Sequence, residues 1–433
     1  MKTVFQRDQK KRNQKKREQS KRSRTQKKQI QKKQSHQKAF NQLIWAKRLQ
    51  LNGLAIGLTG ALMTGLLAHK SPAVATGYSE YDYESEQSTS FEAINIFGDS
   101  IVDAGNLFTL TSAFSTEGVP ALPPSAPYAQ KFSNGALWIE NVANELQLSP
   151  VLRTDLAISP STTDPADGIN FAFGGALSSD NNLTDADLPA LADNLSGLQE
   201  QVEEFSMIAD ALPNTQNSLN VISAGANDYF AALTSPESLG DLPIEQLPNV
   251  VTGNIISGLE QLNAVGAKDF IVMNLPPLED TPFANFLDQQ SEADVSSTIG
   301  QLTALHNQQL SQKIGEFSDR NPDTNVILLD ANALFNEAAD NPEVFGFNNT
   351  TESCLINFQP GFNFEGVCDN PGEFLFWDDV HPTATTHQII SDAALAKLQP
   401  DTYAKSVPEP VSSFALLLVG TAAVGAVAKR HRQ

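Results

Sequence analysis

Between residues 91 and 398, short apolar runs alternate with longer stretches whose apolar positions recur at helical spacing. Residues 93–97, 168–173, 218–223, 269–274 and 325–330 are near-continuous apolar runs of strand length, the pattern of strands buried on both faces. Residues 135–146, 195–212, 244–265, 291–317 and 383–398 read as helices. In the third of these, Ile255, Leu259 and Leu262 carry the 3.6-residue spacing of a buried face. Strand and helix alternating in this way predict one α/β domain over residues 91–400, a doubly wound parallel sheet of five strands flanked by helices. Two stretches interrupt the pattern, 107–131 and 276–290. Both are rich in Pro and Phe, with Tyr128 in the first, and both read as long loops that cover a substrate site.

Outside the domain the pattern changes. Residues 1–48 are Gln-, Lys- and Arg-rich and read as disordered, and an uncharged apolar run over 51–68 follows, then Ala73-Val74-Ala75. Basic region, apolar run and small-residue site make residues 1–75 a secretory signal cleaved after Ala75, with a retained signal anchor as the alternative. Residues 76–90 are acidic and read as a linker. At the other end, Val407-Pro408-Glu409-Pro410 precedes an uncharged run over 411–428 and then Lys429-Arg430-His431-Arg432. Eighteen residues at about 1.5 Å each just reach across a hydrocarbon core, so this run reads as a transmembrane helix. Basic flanks on both apolar runs keep those flanks in the cytoplasm and place the domain outside. Residues 406–433 resemble the PEP-CTERM sorting signal of Gram-negative-type bacteria. That resemblance implies processing by an exosortase and display at the cell surface or in the extracellular matrix; a plain tail anchor is the alternative.

Charge sharpens this division. Of the 29 basic residues, 19 precede Thr76 and three follow Ser406, leaving seven in the body against 47 of the 50 acids. A body so acidic repels nucleic acid, which excludes it as a partner. Cys354 and Cys368 are the two cysteines of the chain, set in a Gly- and Asn-rich segment of the exported part. An oxidising compartment predicts a disulfide there, worth about 3 kcal/mol by loop-closure entropy. The segment offers too few Cys and His for a metal site, and no calcium-loop motif is present, so neither metal nor cofactor is expected.

Candidate chemistry starts where the first strand stops, at Gly98-Asp99-Ser100. A parallel strand that ends in Gly and a hydroxyl residue delivers the hydroxyl to the carboxyl edge of the sheet, where open α/β folds carry their sites. A serine nucleophile needs a base and oxyanion donors. The base candidate is His381, in Trp377-Asp378-Asp379-Val380-His381-Pro382. Pro382 suits the first position of the following helix, and Asp378, three residues before His381, can reach back to its ring. Gly174-Gly175 ends the second strand and lets a backbone N–H approach a substrate oxygen. Asn227 follows the third strand and offers a side-chain amide.

Gly98-Asp99-Ser100, the run 170–176, Gly225-Ala226-Asn227-Asp228 and Asp378-Asp379-Val380-His381 together resemble the four blocks of the GDSL (SGNH) esterase/lipase family. Asp103-Ala104-Gly105-Asn106 and Asn274-Leu275-Pro276-Pro277 extend the likeness, which spans about 91–398. The resemblance implies a flavodoxin-like sheet of strand order 2-1-3-4-5 and hydrolysis of carboxylic esters through an acyl-enzyme. It makes Ser100 the nucleophile, His381 the general base and Asp378 its orienter, with Asp379 as rival. The Ser100 and Gly175 N–H groups and the Asn227 amide become the oxyanion hole, with Gly174 as rival to Gly175. Lipid, short acyl esters and acetylated glycan all remain open as substrates. So do acyl transfer to an acceptor alcohol and a non-catalytic glycan-binding role on the same fold.

Overall fold

A computed structural model of the protein describes residues 91–114, 121–185, 187–234, 242–290, 294–359 and 361–399. The expected signal, linker and sorting signal lie outside these residues. Among the described residues, no helix is long and apolar enough to cross a membrane.

Six strands form the central sheet: β1 (Ala93–Gly98), β2 (Val151–Leu152), β3 (Ile169–Asn170), β4 (Ser218–Ser223), β5 (Asp269–Met273) and β6 (Asn325–Leu329). Their order is β2-β3-β1-β4-β5-β6, and every pairing is parallel. The five expected strands therefore lie in the order 2-1-3-4-5, with one unexpected two-residue strand, β2, added at the edge beside β3. Two residues of Val-Leu are too short a run to stand out as a strand in sequence. The second strand is also shorter than the expected 168–173. The carbonyls of Asn170 and Ala172 are taken by the Asn106 side-chain amide at 2.9 Å each, which ends regular pairing on that side.

Eleven helices are described: α1 (Asn106–Ala113), α2 (Trp138–Glu145), α3 (Arg153–Ile158), α4 (Leu198–Ile208), α5 (Ala226–Thr234), α6 (Leu247–Ala264), α7 (Pro282–Gln290), α8 (Val295–Arg320), α9 (Ala331–Asp340), α10 (Pro342–Phe345) and α11 (Ala384–Leu398). Alternate residues of each strand feed two cores. Phe97, Ile222, Phe270 and Val272 pack under α4, α6 and α8, which contribute Phe205, Ile255, Leu259 and Phe317. Ile94, Ile96, Val221 and Ile271 pack on the opposite face with Trp138 and Val142 of α2, Phe335 of α9 and Ile390 of α11. A sheet covered on both faces leaves its strand ends as the accessible edge.

The two stretches read as loops each contain a helix, α1 in the first and α7 in the second. A carboxylate organises the first: Asp103 accepts the backbone N–H groups of Gly105, Asn106 and Leu107 at the start of α1. Between α10 and α11 lies a small lobe in which β7 (Asn349–Ser353) pairs with β10 (Phe374–Phe376), and β8 (Leu355–Ile356) with β9 (Gly366–Val367). Cys354 and Cys368 are joined by a disulfide across this lobe.

Candidate active site

The turn after β1 sets the buried Ser100 beside the cavity at the carboxyl edge of the sheet. Gly98 sits at φ 145°, and a Cβ there would collide with the Ser223 carbonyl oxygen of β4. That close approach lets Asp99 N–H reach the same oxygen at 3.1 Å, so β1 and β4 stay paired up to the residue before Ser100. Gln201 of α4 fixes the Gly98 peptide from below. Its Oε1 accepts the Gly98 N–H at 2.7 Å, and its Nε2 donates to the Gly98 carbonyl at 2.9 Å. A side-chain amide satisfying both groups of a buried residue holds that strand end in place.

His381 arrives 281 residues later, and its Nε2 lies 2.8 Å from Ser100 Oγ. A tight loop carries it: Trp377 N–H donates to the His381 carbonyl at 2.7 Å, and Phe376 bridges to Pro382. The helix cap is Thr383, whose hydroxyl accepts the Thr386 N–H, so Pro382 precedes the cap and does not occupy the first helical position expected for it. Asp378 lies beneath the imidazole, with its Oδ2 at 2.7 Å and Oδ1 at 2.9 Å from Nδ1. The Val380 and His381 N–H groups also donate to Oδ1, and the Tyr128 hydroxyl donates to Oδ2 at 2.7 Å. With Nδ1–H directed to this carboxylate, Nε2 is left as an acceptor for the Ser100 hydroxyl. Asp379 makes no such contact. Its side chain lines a separate cavity of about 430 Å³ between α7 and the disulfide lobe.

The electrostatics follow from this packing. Burial pushes His381 toward its neutral form, but the Asp378 charge and hydrogen bond, aided by Asp379 and Asp99, hold its pKa above the ordinary value. Burial likewise opposes the charge on Asp378, and the His381 charge with the three N–H donors around it brings its pKa below the usual carboxylate value. Two carboxyls beside them are different. Burial raises Asp99 to about 7, and burial with the neighbouring Asp378 charge raises Asp379 to about 7.

The remaining expected donors surround the same edge. Asn227 lies in the first turn of α5, immediately after β4, and lines one cavity with Ser100 and His381. Its Nδ2 donates to the Ala176 carbonyl at 3.1 Å, which leaves a second N–H on that nitrogen. Gly174 and Gly175 form the turn after β3. Gly174 N–H is engaged by Asp103 at 2.8 Å, whereas the backbone N–H groups of Gly175 and Ser100 have no partner among the described residues. The cavity beside Ser100 has a volume of about 30 Å³, walled by Ile101, Phe230, Pro277, Leu278, Phe335 and Phe376. So the stretch 276–290 supplies a wall of the site. Of the stretch 107–131, the described residues buttress the site instead, through Tyr128 under Asp378.

Four residues of the site carried no such role in sequence: Tyr128, Phe132, Gln201 and Asp103. Phe132 packs tilted against the His381 ring, with centroids 4.9 Å apart and planes at 34°. Asp103 was visible within an extended motif, but its link to Gly174 depends on folding. The other three offered only their residue type.

The profile of the GDSL-like Lipase/Acylhydrolase family matches residues 94–394. A GDSL esterase/lipase of Arabidopsis thaliana is 26% identical over 340 residues, covering 73% of this chain and 92% of its own. Another from the same plant is 27% identical over 321 residues, covering 70% and 78%. Among solved structures, an acetyl xylan esterase from Geobacillus stearothermophilus is 17% identical, covers 71% of this chain and 94% of its own, and superposes with a TM-score of 0.33.

Proposed function

Because the chain belongs to the GDSL-like lipase/acylhydrolase family and is an ester hydrolase, we propose that it works through an acyl-enzyme on Ser100. One observation carries this reading: the unbroken hydrogen-bonded chain from Ser100 Oγ through His381 to Asp378. His381 Nε2 takes the hydroxyl proton as Oγ bonds to the ester carbonyl carbon. Negative charge then develops on the carbonyl oxygen, which accepts from the Ser100 and Gly175 N–H groups and from the free Asn227 amide N–H. Collapse expels the alcohol, which takes the proton from His381. A water molecule repeats the sequence on the acyl-enzyme and releases the acid. Asp378, ionised and held by its own donors, fixes the imidazole tautomer and stabilises the imidazolium formed in each half-reaction.

The space beside Ser100 favours a short acyl group. A cavity needs about 10–15 Å³ of such space for one water, so about 30 Å³ takes the few atoms of an acetyl group rather than a fatty chain. The acidic, exported setting expected from the sequence suits acetylated polymers outside the cell. Export through the signal in residues 1–75, exosortase processing of residues 406–433 and display at the surface remain part of the proposal on their sequence evidence. Mass spectrometry of the termini of the cell-surface protein tests them.

Labelling with a fluorophosphonate serine probe tests the mechanism. A single adduct on Ser100, absent from Ser100→Ala, together with loss of p-nitrophenyl acetate hydrolysis in the folded variant, is the expected result. An unlabelled wild-type protein, or full turnover by Ser100→Ala, sinks it.

A further inference from the structure

Tyr128 sits at 2% exposure, 250 residues from its hydrogen-bond partner in sequence. Its ring stands edge-on to Trp377 at 5.9 Å and to Phe362 at 5.5 Å, within a cluster that also holds Cys354 and Leu355. Packing of that kind needs an aromatic ring and no hydroxyl; Phe would serve. The hydroxyl instead donates to Asp378 Oδ2 at 2.7 Å, the same oxygen that lies 2.7 Å from His381 Nδ1. Burial and the adjoining carboxylate hold the phenol well above its ordinary pKa, so it stays protonated and can only donate to that anion.

We propose that Tyr128 is a positioning residue for the reaction, whose hydroxyl locks the Asp378 carboxylate against His381 and sets the basicity of that histidine. The inference rests on the serine-esterase reading above. Two consequences follow from one bond. The phenol on Oδ2 adds to the Val380 and His381 N–H groups on Oδ1, so rotation about Cβ–Cγ breaks bonds at both oxygens and Oδ2 stays under Nδ1. The phenol also draws charge from Oδ2, which weakens the pull of the carboxylate on a protonated imidazole. Without it, the imidazolium gains stability and His381 becomes harder to deprotonate; Asp99, Asp379 and His387, the other titratable groups whose charge bears on the ring, are the same in wild type and in a variant at 128. The stretch 107–131 thereby acts on the chemistry without touching substrate.

The experiment compares wild type with Tyr128→Phe, which keeps the ring and removes the hydroxyl. The acid limb of the kcat/KM profile moves upward by about half to one pH unit, and kcat falls about tenfold while KM holds within about twofold. A profile that superimposes on that of wild type overturns the proposal, since a merely structural role lowers yield or thermal stability and leaves the titration in place. NMR titration of the His381 Nδ1–H resonance reports the same shift without needing turnover. If neither protein hydrolyses any ester, the esterase reading fails, and an unmoved His381 titration separately overturns the role given to Tyr128. Should Tyr128→Phe not fold, 3-fluorotyrosine placed at 128 keeps the hydroxyl and makes it a stronger donor. It must move the acid limb downward; an unmoved limb overturns the proposal.

Discussion

Asp103 Oδ2 accepts the Gly174 N–H at 2.8 Å, 71 residues away in sequence. Each oxygen of Asp103 takes two backbone donors: Gly105 and Asn106 on Oδ1, Leu107 and Gly174 on Oδ2. Four donors fill the lone-pair sites and leave no room for a proton, so the group acts as a carboxylate although burial pushes its pKa up. Of the paired glycines, Gly174 is thus already engaged. Gly175, at φ 79°, holds the unpaired N–H. One buried anion therefore ties the start of α1 to the turn that carries the proposed oxyanion donor, Gly175.

Asp103→Asn keeps the shape and turns an amide N–H toward two backbone donors. The variant should lose about 10- to 100-fold in kcat with little change in KM, and about 2–3 kcal/mol in stability. Steady-state kinetics with p-nitrophenyl acetate, beside thermal unfolding, measure both. Normal kcat in a destabilised protein would show that the turn does not depend on Asp103 for its catalytic geometry.

Activity should also follow the charge on His381. The base must be neutral to accept the Ser100 proton, and its pKa lies above the free value of 6.5. Turnover is therefore lost as pH falls through a value higher than 6.5. The stability linked to the same group runs the other way: present in full below 6.5, it fades as pH rises through the folded-state pKa. Asp378→Asn removes the charge that raises the histidine. Its acid limb should move down while kcat drops by about 10⁴. An acid limb below pH 6 in wild type contradicts a raised pKa for His381.

Sequence pattern revealed what repeats locally. Strands such as Ser218–Ser223 and helices such as Leu247–Ala264 announce themselves because burial on a sheet or a helix face imposes a short period. Ser100, Asp378 and His381 were legible because their residue types and flanking glycines and prolines form compact motifs. Helices α1 and α7 were not, because their stretches are crowded with Pro and Phe and each starts on one local side-chain cap that leaves no period: Asp103 accepts the Leu107 N–H, and the Thr281 hydroxyl accepts the Ala284 N–H. Tyr128 and Gln201 were invisible for a related reason. Their roles lie in hydrogen bonds spanning 250 and 103 residues, which leave no periodic trace.

Asp99, between Gly98 and the nucleophile, carries a stability prediction. Burial raises its pKa from 3.8 to about 7, so the native state holds a proton that the unfolded chain has released. Folding stability therefore declines as pH rises from about 4 to about 7, and stays lower above that. Asp99→Asn removes the titration and keeps an acceptor for the Ile101 N–H. The variant should be more stable than wild type at pH 8, on the order of 2–4 kcal/mol, and show no gain at pH 4. Chemical denaturation at the two pH values decides it, and an equal change at both refutes a buried, protonated Asp99.

The proposed preference for short acyl groups rests on Phe230. It stands three residues after Asn227 on α5, so one helix face presents the proposed oxyanion amide and a wall of the cavity together. Its ring packs edge-on against Phe283 of α7 at 5.5 Å, which keeps it from swinging out of the way. Phe230→Ala removes that wall and extends the space of about 30 Å³ beside Ser100. The change costs about 3 kcal/mol or less in stability, since the ring is near-buried and its removal leaves a cavity open to the site. The kinetic effect should be selective. Each methylene accommodated in an apolar pocket is worth about 1–3 kcal/mol, so kcat/KM for p-nitrophenyl butyrate relative to acetate should rise at least about tenfold. Acetate itself should change little, because the triad and Asn227 keep their contacts. If wild type already hydrolyses decanoate as fast as acetate, or if the butyrate-to-acetate ratio is unmoved in Phe230→Ala, the acyl chain leaves by another route and the short-acyl reading falls.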